Sequence, residues 1–274
     1  PSGDHTESVH DGYQITTLKG AADFSLFLDQ LRIATNQNGK PEHPVIQEFR
    51  TVVHRDIALR AKMEHMLSEA YITAHPGTGL ARGPQLAGSL EEFFELLNAV
   101  LTRAPMPARD GVNDGSSLRT FPITAVLKYT YQTLQGRVVY RDATFNRMIG
   151  KVLQAWNRFL NSPASAYVLN DKDGWLAAPD IDFSLYVHDK SRPHWGFSSF
   201  NDFFTRQWVS GVRPPAPGAD IAVSAVESHV TRFGHALKEH QLFCVKGEHY
   251  SLVNMLAGRN QLVSAMVGGS LIQA

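Results

Sequence analysis

The run Trp195-Gly196-Phe197-Ser198-Ser199-Phe200-Asn201-Asp202-Phe203-Phe204-Thr205-Arg206 decides how this chain is read. Ser199 followed three residues later by Asp202 has the spacing of a helix N-cap, where a side-chain oxygen accepts an orphan amide of the first turn. The helix so begun carries Phe200, Phe203 and Phe204 on one face, at the three- and four-residue separations that bring side chains together. Arg206 falls near its C-terminal end, where a cation complements the helix dipole. On the residues alone two readings of the phenylalanines stay open: an aromatic face buried in a core, or the wall of a pocket.

Upstream of this run the texture is helical. From Ala21 the apolar residues Phe24, Phe27, Leu28 and Leu31 recur at helical spacing until Asn36-Gln37-Asn38-Gly39. A long or broken helix is expected from Pro44 to about Tyr71, with Ile46, Phe49, Val53, Ile57, Met63, Met66 and Leu67 along one side. Ser89-Leu90-Glu91-Glu92 has capping-box spacing ahead of Phe93 and Phe94, and Pro105 and Pro107 end that helix. Pro122 opens an apolar stretch through Tyr131, and Thr144 is the expected cap of a helix running from Phe145 to Leu160, closed by Pro163. Residues 1 to 19 are polar and aperiodic, the composition of a loosely held arm.

After Pro163 short strand-like segments appear, Ala222 to Val226 and Leu242 to Val245, broken by Gly218, Gly234 and Gly247, with short helices near Phe200 to Trp208 and Ser251 to Ala257. The expected fold class is α+β: a helical N-terminal domain over residues 1–165, then the N-terminal part of a β-rich domain over 166–274. The alternating run Ser270 to Ala274 has the pattern of a strand cut off midway, so the β-rich domain is expected to be incomplete.

Charge narrows the partners. Lys plus Arg and Asp plus Glu both number 26, so no net field draws the chain onto nucleic acid or an anionic membrane, and a small zwitterion suits it better. Cys244 is the only cysteine, which excludes an internal disulfide and multi-cysteine zinc sites and fits a reducing, cytoplasmic compartment. No run approaches the ~20 consecutive apolar residues of a membrane span. The twelve histidines invite a metal reading, but His54 and His65, and His235 and His240, lack the spacing and flanking carboxylates of a zinc enzyme, so no metal is expected. Dinucleotide and phosphate loops and a Gly-x-Ser-x-Gly elbow are absent from the sequence.

Five pieces downstream of Ser199 follow in fixed order: Phe200 to Arg206, Arg213-Pro214, Val223 to Ser228, Lys246-Gly247-Glu248-His249-Tyr250-Ser251-Leu252, and Leu256-Ala257-Gly258 leading to Gly268-Gly269-Ser270. In order and spacing they resemble the phosphatidylserine decarboxylase family, which carries a Phe-x-x-Phe-Phe-x-Arg segment, an Arg-Pro pair, a strand ending in Pro-Ala-Asp-Gly and a Lys-Gly-x-x-Tyr-Ser-Leu turn. Pro44 to Phe49, Gly174-Trp175-Leu176, Trp195 to Phe204 and the pair Glu227-Ser228 are similar to fungal members that resemble decarboxylases of free aromatic amino acids and have a helical N-terminal region in place of a membrane anchor.

That resemblance implies removal of a carboxylate with a pyruvoyl group made from one of the protein's own serines, after the chain cuts itself into a large and a small chain. Decarboxylation leaves a carbanion, and conjugation through the pyruvoyl carbonyl supplies the electron sink it needs. The serine and a histidine motif are expected beyond Ala274, and Gly269-Ser270 matches a structural Gly-Ser of relatives. Phe200, Phe203, Phe204 and Arg206 become candidates for the substrate pocket. Glu227 stands where the family has an aspartate that orients a histidine for self-cleavage; a carboxylate facing an imidazole fixes its tautomer and charge, and a surface glutamate is the other reading. Lys246 and Tyr250 belong to a turn that supports the sheet. The expected activity is decarboxylation of a free aromatic L-amino acid, the alternatives being phosphatidylserine decarboxylation and a non-catalytic paralogue of the same fold.

Overall fold

The computed structural model describes residues 27–29, 31–32, 41–74, 87–107, 122–131, 133–221, 223–224, 228–230, 232–245 and 248–273. They belong to two compact units that divide between Arg213 and Pro214.

The first unit is built on amphipathic helices whose ends are set by side-chain caps. Residues 27–29 and 31–32 are helical, with Phe27, Leu28 and Leu31 buried. The stretch from Pro44 is a broken helix, α1 (Pro44–Arg55) and α2 (Ile57–Ala74). Asp56 breaks it at φ −97°, ψ 93°, and its carboxylate accepts the Leu59 amide at 2.9 Å. The break shifts the phase of the apolar stripe. Phe49, Val53, Met63 and Met66 are buried, whereas Ile57, expected on the same side, is 81% exposed.

α3 (Leu90–Val100) begins at Ser89, whose hydroxyl accepts the Glu92 amide at 3.2 Å. Glu92 returns to the Gly88 amide at 2.7 Å, one residue earlier than a reciprocal box would place it. α4 (Pro122–Tyr131) and the sequence-silent α5 (Leu134–Val139) follow. Glu69, on α2, accepts the Leu134 and Gln135 amides at 3.0 and 2.7 Å and so caps α5 from a distant part of the chain.

α6 (Ala143–Leu160) starts two residues earlier than expected. Its cap is Asp142, not Thr144, because one carboxylate oxygen accepts both the Thr144 and Phe145 amides, at 2.9 and 3.2 Å. Burial works to raise this carboxyl, but those two amides and the Lys62 ammonium outweigh it and hold it below the usual carboxylate range.

The helices enclose one core centred on Phe49, which meets Phe94 edge-on at 5.3 Å and Phe145 at 5.8 Å. At its margin Arg50 lies over the Phe94 ring and pairs with Glu42 and Glu91.

From Pro163 the backbone changes to 3-10 turns at Pro163–Val168, Trp175–Ala177, Phe183–Leu185 and Pro193–Gly196, then α7 (Phe200–Phe204). The boundary expected at 165/166 lies inside the first of these turns, and the chain divides into its compact units after Arg213. The reason lies in a second core: Ala104, Met106, Phe159 and Leu160 pack with Phe183, Phe200 and Phe203, so apolar contacts cross residue 165.

The second unit contains two antiparallel strand pairs. β1 (Arg232–Gly234) pairs with β4 (Leu271–Gln273), and β2 (Leu242–Val245) with β3 (Glu248–Ser251). α8 (Leu252–Met255) starts with a capping box between Ser251 and Asn254, and α9 (Asn260–Met266) follows. The class is mixed α+β as expected. Among the described residues the strands are short, however, and 163–213 holds 3-10 turns and a short helix rather than sheet. Val223 and Ser224 have no regular structure, and the remainder of the strand expected at Ala222 to Val226 lies outside the described residues. Among the described residues no helix is long and apolar enough to cross a membrane.

Candidate functional site

The Ser199 cap forms as the sequence predicts. Ser199 Oγ accepts the Asp202 amide at 3.1 Å, while Asp202 Oδ2 takes the Ser198 amide at 2.8 Å and the Ser198 hydroxyl at 3.0 Å. The Phe200 amide donates to Ser165 Oγ at 2.9 Å, which ties the start of α7 to the 3-10 turn beneath it.

The three phenylalanines do not share one environment. Phe200 and Phe203 are buried, while Phe204 is 66% exposed and touches Phe200 in a stacked contact at 5.8 Å. The helix has only five residues and turns away at Thr205 (φ −95°, ψ 22°), so its buried face is just wide enough for the i, i+3 pair.

Phe203 is the hub. Its ring meets Trp175 at 5.7 Å, Phe197 at 5.6 Å and Phe183 at 6.3 Å. Trp175 is held by its indole N–H, which donates to the Pro105 carbonyl at 2.7 Å. The turn before it needs glycine: a Cβ on Gly174 would lie 2.2 Å from the Val168 carbonyl oxygen.

Arg206 lies within this aromatic surface. Its guanidinium sits 4.3 Å from the Tyr186 ring centre and 5.0 Å from that of Phe203, and one terminal nitrogen donates a long bond of 3.4 Å to the Phe203 carbonyl. Nε is buried and has no hydrogen-bond partner among the described residues. Tyr186 stacks on Trp208 at 4.3 Å, over an antiparallel bridge in which the Val187 amide donates to Gln207 and the Val209 amide to Leu185, both at 2.9 Å. Arg213 lies over the Trp208 ring, 4.8 Å from its centre.

Beside this ladder opens a cleft of about 350 Å³, lined among others by His188, Asp189, Arg192, Trp195, Phe197 and Arg206. Its rim is shaped by three successive left-handed residues, His194 (φ 51°), Trp195 (φ 53°) and Gly196 (φ 90°). Only Gly196 adopts that conformation without cost. The others are held by His194 Nδ1 bonding to the Leu169 carbonyl at 2.7 Å and by the Trp195 carbonyl accepting the Asp189 amide at 2.9 Å. The hydroxyl and amide of Ser191 hold the Asp189 carboxyl below the usual range, with Arg192 and His188 adding to the effect.

Of the residues singled out in the sequence, Phe200, Phe203 and Arg206 therefore converge on one aromatic surface, and Phe204 stands outside it. Glu227 lies outside the described residues. Gly269 and Ser270 form the turn into β4, where the Gly269 carbonyl accepts the Leu237 amide at 3.2 Å and the Ser270 hydroxyl contacts His235 Nδ1 at 3.1 Å. Tyr186, His188, Asp189 and Trp208 were missed. The available signal was the recurrence of arginine and aromatic residues through 186–213, which carries no single periodicity.

Two family models, both described as phosphatidylserine decarboxylase, match this chain, one over residues 43–182 and the other over 200–274. The decarboxylase iboD of Amanita muscaria is 29% identical over 166 residues, 56% of this chain and 47% of that protein. The L-tryptophan decarboxylase of Psilocybe cubensis is 23% identical over 278 aligned residues, 92% of this chain and 58% of that protein. A phosphatidylserine decarboxylase proenzyme of Shewanella putrefaciens is 38% identical over 124 residues, 45% of this chain and 39% of that protein. The chain thus spans about half the length of the curated relatives it matches.

Proposed function

The chain belongs to the phosphatidylserine decarboxylase family, and on that premise we propose that the protein containing it is a carboxy-lyase that converts a free aromatic L-amino acid to its amine and carbon dioxide. The observation that carries the choice of substrate is coverage. The match to a tryptophan decarboxylase takes in 92% of the chain, whereas the matches to bacterial phosphatidylserine decarboxylase proenzymes take in 27% to 45%. A lipid enzyme is the second reading, favoured by the higher identity of those shorter matches, 37% to 40% for several of them.

In the reaction the bond from Cα to the carboxylate breaks, carbon dioxide leaves, and the electron pair left on Cα takes up a proton. A pyruvoyl group derived from a serine of the protein supplies the electron sink for that pair. No metal is needed. Gly269-Ser270 is framework in this reading, engaged as it is in the turn that leads from α9 into β4. Glu227 orients the histidine that promotes self-cleavage, and the small chain released by that cut is the protein's own partner. The aromatic surface around Phe203 and Arg206 belongs to the substrate-recognising part. The even charge and single cysteine support a cytoplasmic setting.

The test is to incubate the full-length protein separately with L-tryptophan, L-phenylalanine, L-tyrosine and phosphatidylserine vesicles, measuring amine and carbon dioxide. An aromatic amine is expected. Consumption of phosphatidylserine with no aromatic amine would overturn the substrate assignment in favour of the lipid enzyme.

A further inference from the structure

The cleft beside Arg206 has a binding capacity that no described residue uses. Its two carboxylates serve the local backbone: Asp189 takes the amide and hydroxyl of Ser191, and Asp202 those of Ser198. Arg206 has no carboxylate of this kind. Its polar contact among the described residues is the 3.4 Å bond to Phe203, its Nε is buried without a partner there, and its guanidinium lies over the Tyr186 and Phe203 rings. What such a guanidinium can offer the cleft is its terminal N–H donors, and the group that matches charged donors of this kind is a carboxylate.

Two aromatic side chains share the lining with Arg206. Trp195 and Phe197 face the same space, and the left-handed backbone at His194 and Trp195 is a strain of the kind that persists where a side chain must be aimed. At about 350 Å³ the space is at the small end of ligand pockets, of the order of one amino acid.

We propose that this cleft binds a small carboxylate bearing an aromatic ring, with the carboxylate on Arg206 and the ring against Trp195 and Phe197. In its choice of ligand this rests on the decarboxylase reading, whose substrate offers both groups.

The probe is indole-3-propionate, which has the ring and the carboxylate but no amine, so it reports binding without chemistry. Titration calorimetry on the full-length protein should show the acid binding about tenfold or more tighter than indole-3-propionamide, the loss of one charge-assisted pair. Arg206→Gln should lose a similar factor for the acid and little for the amide. Because Arg206 packs against two rings, hydrogen exchange on the unaltered protein provides a second measurement, with protection expected at residues 187–197 and 202–207. Equal binding of acid and amide, no binding of the acid, or protection confined to other segments would each overturn the proposal. Tryptamine formed from tryptophan by a protein that does not bind the acid would sink the cleft and leave the decarboxylase. The acid bound at the cleft with no amine from any aromatic amino acid would do the reverse.

Discussion

Replacing Phe203 by alanine should destabilise the first unit far more than the same change at Phe204, although the two are adjacent in the sequence. Phe203 is 2% exposed and its ring meets Trp175, Phe183, Phe197 and Phe200, with the Arg206 guanidinium over it. Truncating a buried phenylalanine removes its transfer free energy and leaves a cavity, together about 3–5 kcal/mol. For a unit of this size each kcal/mol lowers the melting temperature by about 2–4 °C, so a fall of about 6–20 °C is expected. Phe204 keeps two thirds of its surface in water and gives up mainly its contact with Phe200, which is about 0.5–1 kcal/mol. Differential scanning calorimetry of the two variants reads this contrast directly. Comparable shifts would refute the placement of Phe203 as the hub of the second core.

Three further outcomes follow from single groups. Asp142→Ala should cost about 1–2 kcal/mol by uncapping α6; since the folded carboxyl is depressed, the stability it adds is present above its unfolded value and lost as pH falls through the folded one, so melting curves of wild type and variant should converge in acid. His43 Nδ1 accepts the Val45 amide at 3.1 Å, which requires an unprotonated nitrogen, and burial with the Arg158 charge lowers its pKa; its contribution is therefore full above the unfolded value of 6.5 and lost as pH falls below it, so His43→Asn should show a smaller drop in melting temperature between pH 7.5 and 5 than wild type. Glu227→Ala in the full-length protein should block self-cleavage, seen as a single uncut band on a denaturing gel, and a normally cut variant would remove Glu227 from that role.

What was legible in the sequence is what is local. The Ser89 and Ser199 caps, the helix opened by Pro122 and the strand at Leu242 to Val245 each depend on residues within a few positions of one another. Where sequence and structure differ, the cause is one that residue type does not announce. α5 has six residues with Gly136 inside it and draws part of its cap from Glu69, so no local pattern announces it. Ile57 was misplaced because a single polar residue, Asp56, reset the helical phase. The cleft depends on a bridge between Tyr186 and Trp208 and on left-handed backbone at His194 and Trp195, neither of which has a residue-type signature. Arg206 was legible as a member of a motif, but its clamping between two rings was not.

The most direct measurement is the intact mass of the purified full-length protein. The decarboxylase account predicts two chains whose masses sum to that of the translated sequence plus one water and less one ammonia, the exchange that turns the serine-derived imine into the pyruvoyl ketone, with the smaller chain refusing Edman degradation. A single uncut chain carrying an ordinary serine at the candidate position would contradict it.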